Sequence, residues 1–238
     1  MTDDMPYEYT GRDLLESPET YEYSAVYGPP FFDAYLADRE QTRATLAKRV
    51  ASADERDGGS EWRVLLNELG EVDTDPGTLP SVTTLTEAGA NGAAIDAPTV
   101  PAPDGDGPFR SVPLLIAILG LPNGRPLSSD EARTWLDRFT KRYEVSKQLF
   151  ATYDDDMRPA TESEAPIVAY PILALATLVH HRRTGNLKHL NVALKLGDLL
   201  SSKADSLSEP GTCALARLVL AVESDSVRAL ADETGVSL

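Results

Sequence analysis

The residues best suited to chemistry lie close together. All three histidines of the chain, His180, His181 and His189, fall within ten residues, beside Arg182, Arg183, Lys188 and Lys195. In a chain of net charge -16 this is the densest run of positive charge. Imidazoles, guanidiniums and an ammonium in one place suit an anion: a phosphate, a sulfate, the diphosphate of a nucleotide sugar or a carboxylate. A helix starting near Asn186 adds free backbone N–H donors. The expected anion site is therefore His180, His181, Arg182, Arg183, Lys188 and His189. The alternative is a helical turn whose cations complement the negative end of the preceding helix. Metal binding is not expected. His180 and His181 are neighbours and leave a helix in different directions, and His189 lies beyond the turn.

A second basic group, Arg138, Lys141 and Arg142, has helical spacing. Arg138 and Arg142 form a secondary anion-binding candidate, with ion pairs to the interleaved Asp137 and Glu144 as the alternative. Asp154–Asp156 lacks the alternating ligands and glycine of a calcium loop and reads as a solvated acidic turn. Cys213 is the single cysteine. It can form no internal disulfide and reads as a buried, inert thiol. The chain contains no GxGxxG, Walker A, GxSxG, HExxH or CxxC pattern, so neither a cofactor nor a catalytic residue is assigned.

These groups need elements to hold them, and the chain offers mostly helices. A helix is predicted after Pro29–Pro30, where proline suits a first turn, with Phe32, Tyr35, Leu36, Leu46 and Val50 along its apolar stripe. Ser60 caps a short helix through Leu69. Residues 71–109 are rich in Gly, Pro, Thr and Ala without helical period and read as a loop or linker. Beyond them an apolar stretch covers Val112–Leu121. The longest helix begins at Ser128 or Ser129, with Asp130 and Glu131 in its first turn, and runs to Tyr153. An apolar helix over Ser163–Arg183 contains Pro171, which should kink or split it. Thr184–Gly185 closes it, Leu187–Lys203 follows, and a final pair covers Gly211–Glu223 and Asp225–Thr234. No useful strand pattern follows residue 110. The predicted fold is mainly α: antiparallel helical hairpins with an irregular, acidic N-terminal region. The expected organisation is 1–70, an acidic arm with six tyrosines before residue 36 and two helices; 71–109, a loop or linker; and 110–238, an all-α body.

Charge supports that division. Residues 1–109 hold 22 acidic and 7 basic side chains, whereas residues 110–238 hold 16 and 15. Among the 22 basic residues only six are lysine. An acid excess with scarce lysine suits the cytoplasm of a high-salt cell, where salt screens carboxylate repulsion and carboxylates keep the surface hydrated. The same balance speaks against nucleic-acid binding. No 18-residue apolar run implies a membrane span, and the acidic start is unlike a secretory signal.

The stretch Leu178–Ser202, LVHHRRTGNLKHLNVALKLGDLLSS, carries the one resemblance. Thr184, Gly185 and Asn186 make the turn, and Leu187, Leu190, Asn191, Leu194, Lys195, Leu196 and Asp198 pattern the second helix. It resembles the helical hairpins of α/α-barrel and α-toroid carbohydrate-active proteins, and is similar to helical tails of formyltransferase-like proteins of sugar and surface-glycan synthesis. The resemblance brings no catalytic motif. It implies an accessory helical protein in a carbohydrate pathway, such as assembly of a surface N-linked glycan. Its partner would be an anionic small molecule or a sugar-pathway protein. Two other classes stay open: a transferase holding an anionic donor such as a nucleotide sugar, and an interaction scaffold without catalysis.

Overall fold

The structure is a computed structural model. It describes residues 29–51, 108–119, 127–208 and 210–233. The tyrosines before residue 29, the helix expected after Ser60 and the 71–109 segment up to residue 107 lie outside them, as do the side chains of Phe32 and Val50.

The described chain is mainly helical, as its apolar periodicity predicts. In order it forms α1 (Pro29–Ala51), β1 (Phe109–Arg110), α2 (Ser111–Ile118), α3 (Ser129–Ser146), β2 (Thr152–Tyr153), α4 (Ala169–Thr184), α5 (Leu187–Ser202) and α6 (Pro210–Glu233). Helix α4 is the centre. Every residue from Ala169 to His180 is buried, as a helix covered on all sides requires. It packs against α2, α3, α5 and α6. The α4–α5 hairpin turns as its sequence demands. Gly185 takes the left-handed conformation (φ 67°), and its N–H donates to His181 O at 2.7 Å. Asn186 then caps α5 by accepting from the Lys188 N–H at 3.1 Å. Glycine reaches that conformation without a Cβ penalty, and Asn supplies the acceptor that a helix start lacks.

Helix α3 starts with a reciprocal cap. The Ser128 hydroxyl accepts from the Glu131 N–H, and the Glu131 carboxylate accepts from the Ser128 N–H at 2.8 Å. Its buried stripe is Ala132, Trp135, Leu136, Phe139, Thr140 and Tyr143, at the three- and four-residue spacing of one helix face.

Four boundaries differ from expectation. Helix α3 ends at Ser146 rather than Tyr153, because Lys147 turns left-handed (φ 56°) and its N–H closes onto Tyr143 O. The residues after it form β2, which pairs antiparallel with β1, Phe109 facing Tyr153 and Arg110 facing Thr152. Edge-on rings fix this pair to α3: Phe109 lies 4.9 Å from Trp135, and Tyr153 lies 5.7 Å from Phe139. Pro171 neither kinks nor splits its helix. Helix α4 begins at Ala169, so Pro171 sits in the first turn, where an N–H has no helical partner to lose. The final pair is one helix, α6. Ser224 and Ser226 do not break it, since their hydroxyls donate back to Leu220 O and Val222 O at 2.7 and 2.9 Å.

Helix α1 lies along α6, with Leu36 and Leu46 in the apolar core and a buried charge cluster beside them. Glu223 is fully buried and Arg39 is 2% exposed. Arg39 Nε donates to Glu223 Oε1 at 3.0 Å, and the Tyr35 hydroxyl donates to the same oxygen. The rest of the guanidinium reaches Ser201 Oγ at 2.8 Å, Asp38 at 3.2 Å and Asp198 at 3.4 Å. The second oxygen of Glu223, Oε2, has no hydrogen-bond partner and sits over Gly197 of α5. Burial lifts the Glu223 carboxyl to about 7, against the pull of Arg39. Burial alone would lower Arg39, but its neighbours, Glu223 foremost, outweigh that and hold the guanidinium charged.

Candidate functional site

Two places gather the expected cations, and the structure treats them differently. At the α4–α5 hairpin it divides the predicted site. His180 and His189 turn inward, 7% and 3% exposed, with rings edge-on at 5.8 Å. His189 Nε2 donates to Asp137 Oδ1 of α3 at 2.9 Å. That bond places the proton of a neutral ring on Nε2 and leaves Nδ1 as a bare acceptor. The Nδ1 atoms of both histidines are buried without a hydrogen-bond partner. His181 is half-buried, its Nδ1 3.2 Å from Asn186 O across the turn. Arg182, Arg183 and Lys188 are exposed. The hairpin thus brings His180 and His189 together with Asp137 in the interior, while Arg182, Arg183 and Lys188 stay on the exposed side. Among the described residues no cluster of His, Cys, Asp and Glu suits a metal ion.

The histidine pair has a consequence for stability. Burial, then the neighbouring His189, lowers the pKa of His180, with Arg183 and Arg133 adding to the effect and Asp137 opposing it. A base whose folded pKa is depressed contributes stability that is present above its unfolded value, ~6.5, and is lost as pH falls through the folded value. His180→Phe keeps an aromatic ring against His189 without a group to protonate. Urea denaturation between pH 7.5 and 5 should show a smaller acid-side loss in this variant than in the unaltered protein. Parallel curves would remove His180 as the cause.

The secondary candidate lies on an open cleft of about 350 Å³ along α3. Arg138, Lys141, Arg142 and Val145 follow one another at offsets of three, four and seven residues, so they form one stripe of α3 and line one wall. The other wall is the turn after β2, carrying Asp155, Asp156 and Met157. Asp154 builds that turn: its Oδ1 accepts from the Asp156 and Arg158 N–H groups at 3.0 and 2.8 Å, and its backbone pairs with Arg158 O and the Met157 N–H. Met157 is buried and has φ 60°. A side-chain residue held in that region stores local strain.

Two of the cations are positioned by their surroundings. Arg138 lies 4.9 Å over the Trp135 ring and donates to Asp155 O at 3.4 Å, a contact that orders the guanidinium. Arg142 is half-buried, and its Nε is buried without a protein acceptor. Its charge is felt at Tyr153, whose phenol is raised by burial while Arg142 pulls it back down. Compared with known proteins, the chain has no significant match to a family model, a curated protein or a solved structure. The cleft is therefore read from its own chemistry. One wall donates and is positive, the other accepts and is negative, and Val145 and Met157 add apolar surface between them.

Sequence spacing identified Arg138, Lys141 and Arg142 as one group. The facing wall carries no spacing signal, because Asp155, Asp156 and Met157 come to α3 through a fold-back of the chain after Lys147, held by contacts such as Tyr153 on Phe139 and Arg138 on Asp155 O. The expected Asp137–Lys141 type of pair is replaced at Asp137 by the bond to His189. Cys213 is buried, as expected of an inert thiol.

Proposed function

We propose that this protein is an accessory helical component of a carbohydrate pathway that holds an anionic, sugar-linked ligand in the α3 cleft. The observation that carries the reading is the stripe of Arg138, Lys141 and Arg142 along a cleft of about 350 Å³. In a chain of net charge -16, three cations on one wall are a local inversion of the surface potential, which attracts and orients an anion. The volume lies within the range of small-molecule sites. The likeness we read in the sequence of the hairpin around Gly185 to carbohydrate-active helical proteins is what points to the pathway. The acid excess and scarce lysine suit a high-salt cytoplasm, and assembly of a surface N-linked glycan is the setting we favour. No helix among the described residues is long and apolar enough to cross a membrane.

A transferase holding a nucleotide-sugar donor is the second reading, favoured by the same three cations. A scaffold needs a continuous exposed apolar patch. Among the described residues the exposed large apolar side chains are Val145 and Leu187, on different helices.

Two triple variants test the location. Titration with pyrophosphate and UDP-glucose should show binding to the unaltered protein. Binding should be lost in Arg138→Ala/Lys141→Ala/Arg142→Ala and kept in Arg182→Ala/Arg183→Ala/Lys188→Ala. The reverse pattern would move the site to the hairpin, and indifference to both sets would end the anion reading. Deleting the gene should alter surface glycans; unchanged glycans would remove the pathway.

A further inference from the structure

We infer that the cleft takes a sugar monophosphate, with the phosphate on Arg138, Lys141 and Arg142 and the ring hydroxyls on Asp155 and Asp156; this rests on the anion reading above and narrows it. The positive wall matches one tetrahedral oxyanion. Arg138 and Arg142 stand one helical turn apart with Lys141 beside them, so all three line one wall, and a dianion placed there balances most of their charge. Arg142 lines the same wall half-buried, so part of its side chain is ordered before a phosphate arrives.

The opposite wall decides what else the ligand carries. An ionised carboxylate only accepts hydrogen bonds. Asp155 and Asp156 therefore repel an anion that fills the cleft and favour a part of the ligand that donates without negative charge. Vicinal hydroxyls do this. The Asp154-bonded turn fixes the backbone that carries both residues; the Asp156 carboxylate lies 3.4 Å from Arg158 in an exposed pair, whose small worth lets a ring hydroxyl share it. Met157 and Val145 offer apolar surface to the C–H face of a sugar ring, and the unbranched Met side chain adjusts to its outline. Size agrees: about 350 Å³ lies at the low end of ligand cavities, suiting a monosaccharide phosphate better than a whole nucleotide sugar. No aromatic ring lines the cleft to stack a nucleobase.

The experiment is calorimetric titration of the full chain in molar KCl. The probes are glucose 1-phosphate, mannose 6-phosphate, ribose 5-phosphate, inorganic phosphate, glucose and alanine. The best sugar phosphate should bind at least tenfold more tightly than phosphate, with glucose alone weak. Asp155→Asn/Asp156→Asn should lower the sugar-phosphate affinity toward that of phosphate and leave phosphate binding equal or stronger. Arg138→Ala/Arg142→Ala should lose both. If phosphate binds as well as every sugar phosphate, the sugar inference fails and the anion reading stands. If neither binds, both fail. Tightest binding by alanine would make the ligand a zwitterion and overturn the proposal.

Discussion

Arg39→Ala should lower the unfolding free energy by about 3–5 kcal/mol, the cost of leaving a buried charge without its partner. The Glu223 side chain has 0% exposure. Without Arg39 it keeps only the Tyr35 hydroxyl and must take up a proton to remain buried. That sets a pH signature. Removing the cation raises the Glu223 pKa further above its unfolded value. The stability this protonation provides is present in acid and lost as pH rises through the folded pKa. The deficit of Arg39→Ala should therefore be larger at pH 8.5 than at pH 5.5. Urea denaturation at the two values reads both effects. The double variant Arg39→Met/Glu223→Leu, which replaces the ions with apolar groups, should recover most of the loss. A single variant within about 1 kcal/mol of the unaltered protein would show that α1 is held by other contacts, such as Arg49 on the Ala204 and Leu207 carbonyls.

Gly197→Ala should be destabilising where helix propensity predicts a gain. In a helix interior alanine is better than glycine by about 1 kcal/mol. At this position the added Cβ would stand 2.0 Å from Glu223 Oε2 and 2.8 Å from its Cδ. Glu223 cannot swing aside, because its other oxygen is held by Tyr35 and Arg39. Overpacking of a rigid interior costs about 1–3 kcal/mol, so the net effect should be a loss. The same substitution in a Glu223→Ala background meets open space and should become neutral or stabilising. This change of sign, read by thermal melting of the four proteins, separates a clash from a general intolerance of the site. A loss of equal size in both backgrounds would sink the explanation.

What the sequence revealed follows the reach of each signal. The start of α3 was legible because a serine pair precedes Asp130 and Glu131 in its first turn, and the structure adds the reciprocal Ser128–Glu131 cap. The α4–α5 turn was legible because Gly185 and Asn186 perform local tasks. The end of α3 was not, since Lys147 adopts a conformation that glycine would have advertised. Helix α6 passes through Ser224–Asp225–Ser226 because tertiary packing and back-bonded hydroxyls outweigh weak propensity. The basic stripe of the cleft was visible as helical spacing, but its acidic wall depends on tertiary contacts of the turn after β2, such as Arg138 on Asp155 O and Tyr153 on Phe139. The inward turn of His180 and His189 depends on Asp137, some fifty positions earlier. Least legible was Glu223, whose carboxylate in an apolar run gave no hint of Arg39 at a separation of 184 residues.

That separation bears on how the gene can change. The Arg39–Glu223 contact closes a loop through nearly the whole chain, and the entropy of closing a flexible loop grows only with the logarithm of its length. By that scaling, a dozen residues more or fewer in a flexible loop of this length would alter its closure entropy by less than ~0.1 kcal/mol. Loop length is thus a weak lever on this contact, whereas one methyl group at Gly197 is a strong one.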